Sequence, residues 1–124
     1  MTERRFTKSH EWIEVKGRVG TVGITHYAQK ELGDIVYAQL PKVGQVLRAG
    51  QEVCVLESTK AAADIYTPVS GKVVAINEKV REEPALTNRD AEHTGWLFQI
   101  ELSSAKEVDS LLTRVDYDKM IANS

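Results

Sequence analysis

The sequence has few of the residues that build disulfide scaffolds or metal clusters. Its 124 residues include one cysteine, Cys54, so no disulfide can form within the chain. Cys54 lies in an apolar, strand-like stretch, which predicts a small buried side chain rather than a reactive thiol. The three histidines, at positions 10, 26 and 93, have none of the short spacings typical of zinc ligands. We therefore predict no metal site, and any dithiol chemistry would have to be supplied by an attached group.

A long apolar run and a strong charge of one sign are also missing. No run approaches the ~20 apolar residues that a membrane-spanning helix needs. The formal net charge is −2, which gives no electrostatic reason to expect nucleic acid or an anionic membrane surface as a partner. Residues 1–6 have no apolar stretch behind their charges, so we predict no secretory signal and a cytoplasmic protein.

The motifs of common enzyme classes are absent. Gly17, Gly20 and Gly23 do not have the order of a dinucleotide-binding G-x-G-x-x-G, and no βαβ unit follows them. Gly71-Lys72 resembles the end of a phosphate-binding loop but lacks its first glycine. No nucleophile elbow is present. The sequence therefore predicts that the chain is not itself an enzyme.

The sequence does contain a series of short strand-like segments separated by turns that glycine and proline mark. Two such segments flank Lys16-Gly17 and predict a hairpin with a two-residue turn. Thr25 predicts the N-cap of a short helix that stops at Gly33. The charged stretch 78–92 suits an excursion over the surface. The pattern predicts a mainly β fold, an antiparallel two-sheet sandwich or flattened barrel with short helices.

The last part of the chain changes to helical periodicity. Ser104 and Glu107 fit a capping box. Four apolar residues follow at helical spacing: Val108, Leu111, Leu112 and Val115. The pattern predicts one amphipathic helix over about 104–115, packed on a single domain that spans residues 1–124; a helix that binds a partner is the alternative.

One lysine, Lys60, lies among small side chains at the predicted tip of a hairpin. Strand-like residues 51–57 precede it, and a second strand-like segment begins at Ile65. A lysine at such a tip is usually a solvated charge, so the local pattern alone leaves its role open.

The wider sequence resembles the H-proteins of the glycine cleavage system, which are lipoate-bearing carriers. The resemblance runs in order through nearly the whole chain, so it is far more specific than any single tetrapeptide. It is carried by Ser9-His10-Glu11-Trp12, Val22-Gly23-Ile24-Thr25, Leu32-Gly33-Asp34-Ile35-Val36, Glu57-Ser58-Thr59-Lys60-Ala61, Asp64-Ile65-Tyr66-Thr67-Pro68-Val69-Ser70-Gly71, Pro84-Ala85-Leu86, Asn88, Gly95-Trp96 and Glu107-Val108-Asp109-Ser110-Leu111-Leu112.

This resemblance implies a barrel-sandwich hybrid like that of lipoyl and biotinyl carriers, with lipoate joined by an amide to Lys60. The amide would remove the ammonium charge, taking the formal net charge from −2 to −3, with fifteen basic residues against eighteen acidic. The resemblance also implies a cleft in which carboxylates attract the ammonium of the loaded arm and hydroxyls hydrogen-bond it. The positions that match this arm cleft are Ser9, Glu11, Asp64 and Thr67.

Each of these acids has a simpler interpretation. Glu11 and Asp64 could be solvated surface carboxylates. Glu57, three residues before Lys60, either helps a lipoate ligase recognise the hairpin or is a strand residue facing solvent. The residues alone leave both alternatives open.

The partners implied by the resemblance are three enzymes and a lipoylating enzyme. A pyridoxal-phosphate glycine decarboxylase would load the carrier with an aminomethyl group. An aminomethyltransferase would pass the one-carbon unit to tetrahydrofolate. A dihydrolipoamide dehydrogenase with FAD would reoxidise the dithiol and reduce NAD. Lipoate itself would be attached by a lipoate ligase or by a lipoyl or octanoyl transferase.

Related carriers are the rival interpretations. Biotinyl domains typically have methionines on both sides of the lysine, and this sequence has Thr59 and Ala61 there. Lipoyl domains of 2-oxoacid dehydrogenase complexes usually have Asp before the lysine and a flexible linker after the domain. A carrier of the same fold that relays lipoyl groups to other proteins is a further alternative.

Two segments depart from the family pattern. Gln39 stands where an acidic residue is common, and Ala91-Glu92-His93 replaces a turn that usually contains Pro and Tyr. Neither touches the lysine hairpin, so neither bears on lipoylation. The second is expected to alter the loop before Gly95-Trp96.

Overall fold

The computed structural model of the chain describes residues 3–123. Within these residues short strands dominate, and five helices of at most nine residues connect or follow them. The elements are β1 (Glu3–Phe6), β2 (Glu11–Lys16), β3 (Val19–Ile24), α1 (His26–Leu32), β4 (Ile35–Gln39), β5 (Val46–Leu47), β6 (Glu52–Ser58), β7 (Ala62–Tyr66), β8 (Gly71–Ile76), α2 (Glu78–Glu82), α3 (Ala85–Arg89), β9 (Phe98–Leu102), α4 (Lys106–Asp109) and α5 (Arg114–Ala122).

Antiparallel pairing arranges these strands in two sheets. The larger sheet has six strands in the order β1-β2-β3-β9-β8-β5, and the smaller has three in the order β4-β6-β7. The sheets do not close into a barrel, so the predicted two-sheet fold is confirmed in its sandwich form.

The core lies where the inward side chains of the two sheets meet. Ile13 and Val22 come from the larger sheet, and Leu56 and Ile65 come from the smaller; none is more than 5% exposed. Inward and outward residues alternate along β6 and β7, as the two-residue period of a strand requires. This alternation fixes which face of the Lys60 hairpin points to solvent.

A second, smaller cluster joins the C-terminal helix to the edge of the larger sheet. It consists of Phe6, Trp12 and Tyr117, each at most 2% exposed. The rings of Phe6 and Tyr117 stack with centroids 5.0 Å apart, and the Trp12 indole donates to the carbonyl of Ala91 over 3.0 Å. The cluster therefore holds α5 against β1 and β2.

Helix α1 begins and ends where the sequence predicted, with Thr25 as its N-cap and Gly33 at its C-terminal end. The Thr25 hydroxyl accepts a hydrogen bond from the amide of Ala28, as an N-cap does. Gly33 ends the helix with φ 87°, a conformation that other residues rarely adopt, and its amide donates to Gln29. The helix delivers the chain to β4, which pairs with β6 of the Lys60 hairpin.

Two local predictions need correction. The first hairpin turns at Gly17-Arg18 rather than at Lys16-Gly17, because Lys16 still pairs with Val19 and the left-handed residue is Gly17. Residues 78–92 form α2 and α3 instead of a plain surface excursion, and they bury the side chains of Val80 and Thr87 completely.

The prediction of one helix over about 104–115 is wrong. The structure has α4 and α5, separated by a segment in which Leu112 forms a β-bridge with Phe6. The predicted capping box does not form either, since the Glu107 carboxylate accepts hydrogen bonds from the amide and hydroxyl of Ser70. Thr113 caps α5, and its hydroxyl accepts a hydrogen bond from the amide of Asp116.

Within residues 3–123, no helix is both long enough and apolar enough to cross a membrane.

Candidate functional site

The tip of the β6–β7 hairpin is a compact turn closed by Ser58. The Ser58 amide donates to the carbonyl of Ala61 over 2.7 Å. The Ser58 hydroxyl accepts from the amides of Lys60 and Ala61, at 3.2 and 3.0 Å, and donates to the Ala61 carbonyl. A serine bonded in this way stabilises a turn without any long-range contact. Ser58 therefore fixes the backbone that presents Lys60, a role that sequence reasoning missed although serine is a known turn residue.

The Lys60 side chain is exposed, in contrast to its fixed backbone. Among residues 3–123 its ammonium makes no ion pair or hydrogen bond. Its methylenes lie over Gly33, where a Cβ would approach the Lys60 Cε to 2.9 Å. Gly33 thus both ends α1 and leaves room for the methylenes of Lys60, whose side chain is exposed.

A corner made by α1, α3 and β4 supports the hairpin from one side. The amide of Thr59 donates to the carbonyl of Asp34 over 3.0 Å. Next to this contact, the Asn88 side chain donates to the Gly33 carbonyl and accepts from the Ile35 amide, at 2.9 and 2.8 Å. The lysine tip is therefore tied to the body of the sandwich through hydrogen bonds that span about 25 to 55 residues of sequence.

Glu11 and Ser9, two of the predicted arm-cleft residues, are in contact. Glu11 is 1% exposed, and its Oε1 accepts hydrogen bonds of 2.5 Å from the hydroxyls of both Thr7 and Ser9. Its Oε2 accepts from the amide of Tyr66 on β7 over 3.2 Å. Because a buried carboxylate needs such donors, Glu11 is not a solvated surface acid; it joins β2 to the edge of β7.

The other predicted residues take different positions. Asp64 is exposed on β7, two residues before Tyr66, and within residues 3–123 its carboxylate makes no hydrogen bond or ion pair. Thr67 is 1% exposed, and its hydroxyl donates to the carbonyl of Val69, which stabilises the turn after β7. Glu57 is exposed on β6 between its cross-strand neighbours on β4 and β7. Ser9 and Asp64 are thus the accessible members of the set.

Thiol chemistry and metal chemistry find little support in the described residues. Cys54 is 1% exposed, as predicted, and burial, followed by the nearby charge of Glu11, raises the pKa of its thiol far above the ordinary value. Since the thiolate is the reactive form, Cys54 is inert. Within residues 3–123, no three His, Cys, Asp or Glu side chains form a group that could hold a metal ion.

Ala91-Glu92-His93, the segment that departs from the family pattern, has a clear structural role. The Glu92 carboxylate accepts a hydrogen bond of 2.9 Å from the amide of His26 at the start of α1. Its other oxygen lies 2.7 Å from the Arg114 guanidinium of α5 and 3.7 Å from that of Arg4 on β1. This loop therefore connects three elements that are distant in sequence. Gln39, the other departure, is exposed at the end of β4.

Acid should destabilise the fold in two steps. Burial lowers the pKa of His10 below its ordinary 6.5, so the neutral form is favoured and stability falls as pH drops below about 6.5. Burial acts to raise the pKa of Glu92, but hydrogen bonds from His26 and Arg114 outweigh it and hold that pKa below 4.5. The stability from Glu92 is therefore full above about 4.5 and is lost as pH falls through its lowered pKa. Urea unfolding at a series of pH values measures both steps.

The Glu92→Gln variant is the control for this prediction. It should flatten the dependence of unfolding free energy on pH below about 4.5 and leave the higher step unchanged. An unchanged slope in the lower range would show that Glu92 does not hold the acid-sensitive contacts.

Comparison with known proteins gives one consistent result. The family described as Glycine cleavage H-protein matches residues 4–124. The glycine cleavage system H protein of Thermotoga maritima is 48% identical over 122 residues, and that of Beijerinckia indica is 50% identical over 121; each alignment covers 98% of both chains. The crystal structure of a glycine cleavage system H protein from Mycobacterium marinum superposes with a TM-score of 0.89 at 34% identity and 97% coverage of both chains.

A two-sheet sandwich that presents an exposed lysine on a fixed hairpin tip suits a carrier protein. The comparisons specify which kind of carrier this is. The chain belongs to the glycine cleavage H-protein family, whose members are lipoyl carriers.

Proposed function

We propose that the chain carries lipoate on Lys60 and is the mobile shuttle of its glycine cleavage system. It takes the aminomethyl group from a pyridoxal-phosphate glycine decarboxylase and delivers it to a tetrahydrofolate-dependent aminomethyltransferase. A dihydrolipoamide dehydrogenase with FAD and NAD then reoxidises it. A lipoate ligase or a lipoyl or octanoyl transferase attaches the lipoate. The chain contributes no catalytic group of its own and acts as a covalent substrate.

The observation that carries this proposal is the contrast between the Lys60 backbone and its side chain. Ser58 and Asp34 bind the backbone of the tip, while the amine has no partner among residues 3–123. A lysine held by its backbone and free at its amine suits an enzyme that must find and acylate one amine among many. The residues present therefore fit lipoate, which would supply a dithiol that carries both the one-carbon group and a pair of electrons.

The contacts of the arm cleft favour separate roles for its members. Asp64 lies three residues beyond Ala61, about 10 Å along the returning strand, and its exposed carboxylate suits an ammonium on the loaded arm. Ser9 is exposed as well, and its hydroxyl is held by a hydrogen bond to Glu11, whose other oxygen accepts from the amide of Tyr66 on the same strand as Asp64. Glu11 and Thr67 are buried, so we assign them to supporting the cleft from beneath.

Glu57 is proposed as a recognition residue for the lipoylating enzyme. Its carboxylate is exposed on the outward side of β6, three residues from Lys60, and it pairs in register with Tyr37 and Ala62. The three strands of this sheet contain no lysine or arginine. No cation on a neighbouring strand can therefore pair with the Glu57 carboxylate in place of a partner protein.

Glycine–bicarbonate exchange tests the shuttle function. The lipoylated chain, mixed with glycine decarboxylase, is expected to support incorporation of labelled bicarbonate into the carboxyl group of glycine. The unlipoylated chain is the control and should give only the background rate. No exchange by the lipoylated chain, together with transfer of its lipoyl group to other carriers, would contradict the shuttle and support the relay carrier.

A further inference from the structure

His10, beside the arm cleft, has an unusual backbone conformation. Within residues 3–123 it is the only residue other than glycine with a positive φ, at 74°. A left-handed conformation is strained for a residue with a Cβ, so it persists only where surrounding contacts impose it. His10 lies between Ser9 and Glu11, so its conformation sets how these two cleft residues are placed relative to each other.

Residues of α1, of α5 and the N-cap of α1 contact His10. The His10 ring nitrogen Nδ1 lies 2.8 Å from the hydroxyl of Tyr117 on α5. The same ring lies 4.8 Å from the ring of Tyr27 on α1. The His10 carbonyl accepts from the amide of Thr25 over 3.0 Å. Tyr117 is 107 residues away in sequence, so this contact links the turn to the C-terminal helix.

The direction of the hydrogen bonds can be assigned from Thr25. Its hydroxyl is fully buried and accepts from the amide of Ala28, and it lies 2.6 Å from the Tyr117 hydroxyl. Within residues 3–123 the Tyr117 oxygen is the only acceptor that the Thr25 hydroxyl proton reaches, so we assign Thr25 as the donor of this bond. Tyr117 is then left to donate its proton to Nδ1 of His10, which is neutral with its own proton on Nε2.

The turn that His10 completes holds the carboxylate end of the cleft. The His10 amide donates to the Thr7 carbonyl, and the hydroxyls of Thr7 and Ser9 both reach Oε1 of Glu11 at 2.5 Å. If His10 relaxed to an ordinary negative φ, the chain would change direction by a large angle at this residue. Ser9 and Glu11 could then no longer keep their hydrogen bond.

We propose that Tyr117 is a positioning residue for the arm cleft: its hydroxyl holds His10 in the left-handed conformation and so keeps Ser9 against Glu11. The effect on carrier function rests on the proposed docking of the loaded arm at this cleft. The effect on the turn itself does not, because the turn exists in the chain without lipoate.

Nuclear magnetic resonance on the unlipoylated Tyr117→Phe variant tests the positioning role directly. The phenyl ring keeps the stack on Phe6, so α5 should stay docked. The wild-type chain should show His10 protonated on Nε2 and short proton distances between Ser9 and Glu11. In the variant we expect the His10 nitrogen shifts to move and these distances to lengthen. Tyr27→Phe is the control, since the Tyr27 hydroxyl makes no hydrogen bond within residues 3–123, and it should leave the turn unchanged.

A double-variant cycle separates positioning from simple packing. Glycine adopts a φ of 74° without strain, so in a His10→Gly chain the turn no longer needs the tyrosine hydroxyl. Tyr117→Phe should shorten the lifetime of the loaded, lipoylated carrier severalfold in the wild-type background and less than twofold in the His10→Gly background. Lipoylation at Lys60 should proceed at an unchanged rate in every variant.

Equal effects of Tyr117→Phe in both backgrounds would overturn the proposal, since they would mean that Tyr117 only packs α5. An unchanged turn in the resonance spectra would overturn it as well. These spectra need no lipoate, so they decide the positioning role even where the exchange assay rejects the shuttle function.

Discussion

Lys60→Arg is expected to abolish lipoylation completely. Arginine keeps the charge and nearly the length of the side chain, but its guanidinium stays protonated and cannot act as the amine nucleophile that forms the amide. The substitution should not disturb the fold, because within residues 3–123 the Lys60 side chain makes no hydrogen bond or ion pair, whereas its backbone amide bonds Ser58. Intact mass and peptide mapping after incubation with lipoate and its ligase should show one adduct on the wild-type chain and none on the variant.

The matched control is Lys72→Arg, at an exposed lysine of β8 outside the hairpin. It should be lipoylated as fast as the wild-type chain, on Lys60 alone. An adduct on any other lysine of the Lys60→Arg variant would contradict the selection of this site by its turn. No adduct on the wild-type chain with a competent ligase would contradict the carrier proposal itself.

The parts of the fold that the sequence predicted are those that depend on neighbouring residues. Thr25 and Gly33 mark the ends of α1 because capping requires only groups within one helical turn. The hairpin around Lys60 follows from two β-forming segments and the short polar turn between them. The exposure of Lys60 follows from the same local features.

The parts that the sequence did not predict depend on contacts between distant segments. The helix predicted over about 104–115 is interrupted because Phe6 and Leu112 exchange two backbone hydrogen bonds of 2.8 Å. Helical periodicity does not reveal this bridge, because it depends on β1 (Glu3–Phe6), in which three charged residues precede Phe6 without a clear strand pattern. The same holds for Glu92, whose three partners lie on three different elements.

The proposed arm cleft includes both a feature that the sequence predicts and one that it does not. Its members were identified by family resemblance, but their sequence positions do not show that Glu11 is buried and Asp64 exposed. That difference arises because Glu11 points from β2 towards the edge of β7, where the Tyr66 amide is available, while Asp64 lies on the outward face of β7. Two carboxylates of similar apparent role are therefore expected to respond differently to the same substitution.

Glu11→Gln is expected to lower the free energy of unfolding by about 2–4 kcal/mol. Hydrogen bonds to a charged acceptor contribute about 1.5–3 kcal/mol each, and glutamine offers one acceptor oxygen in place of two. The Glu11 carboxylate has three donors, the hydroxyls of Thr7 and Ser9 and the amide of Tyr66, and at least one of them would face an amide nitrogen that cannot accept. Urea unfolding monitored by the fluorescence of the two tryptophans measures this loss.

Asp64→Asn is the matched variant, because it makes the same chemical change at an exposed position of the cleft. It should change the unfolding free energy by less than about 0.5 kcal/mol, as surface substitutions usually do. Both variants should shorten the lifetime of the loaded carrier, Asp64→Asn by losing a charge and Glu11→Gln by weakening the hydrogen bonds that support the proposed cleft from beneath. Equal stability losses would contradict the buried role of Glu11, and an unchanged lifetime in Asp64→Asn would contradict the cleft. If Glu11→Gln alone shortened the lifetime, the ammonium would depend on the turn at Ser9 and not on the carboxylate of β7.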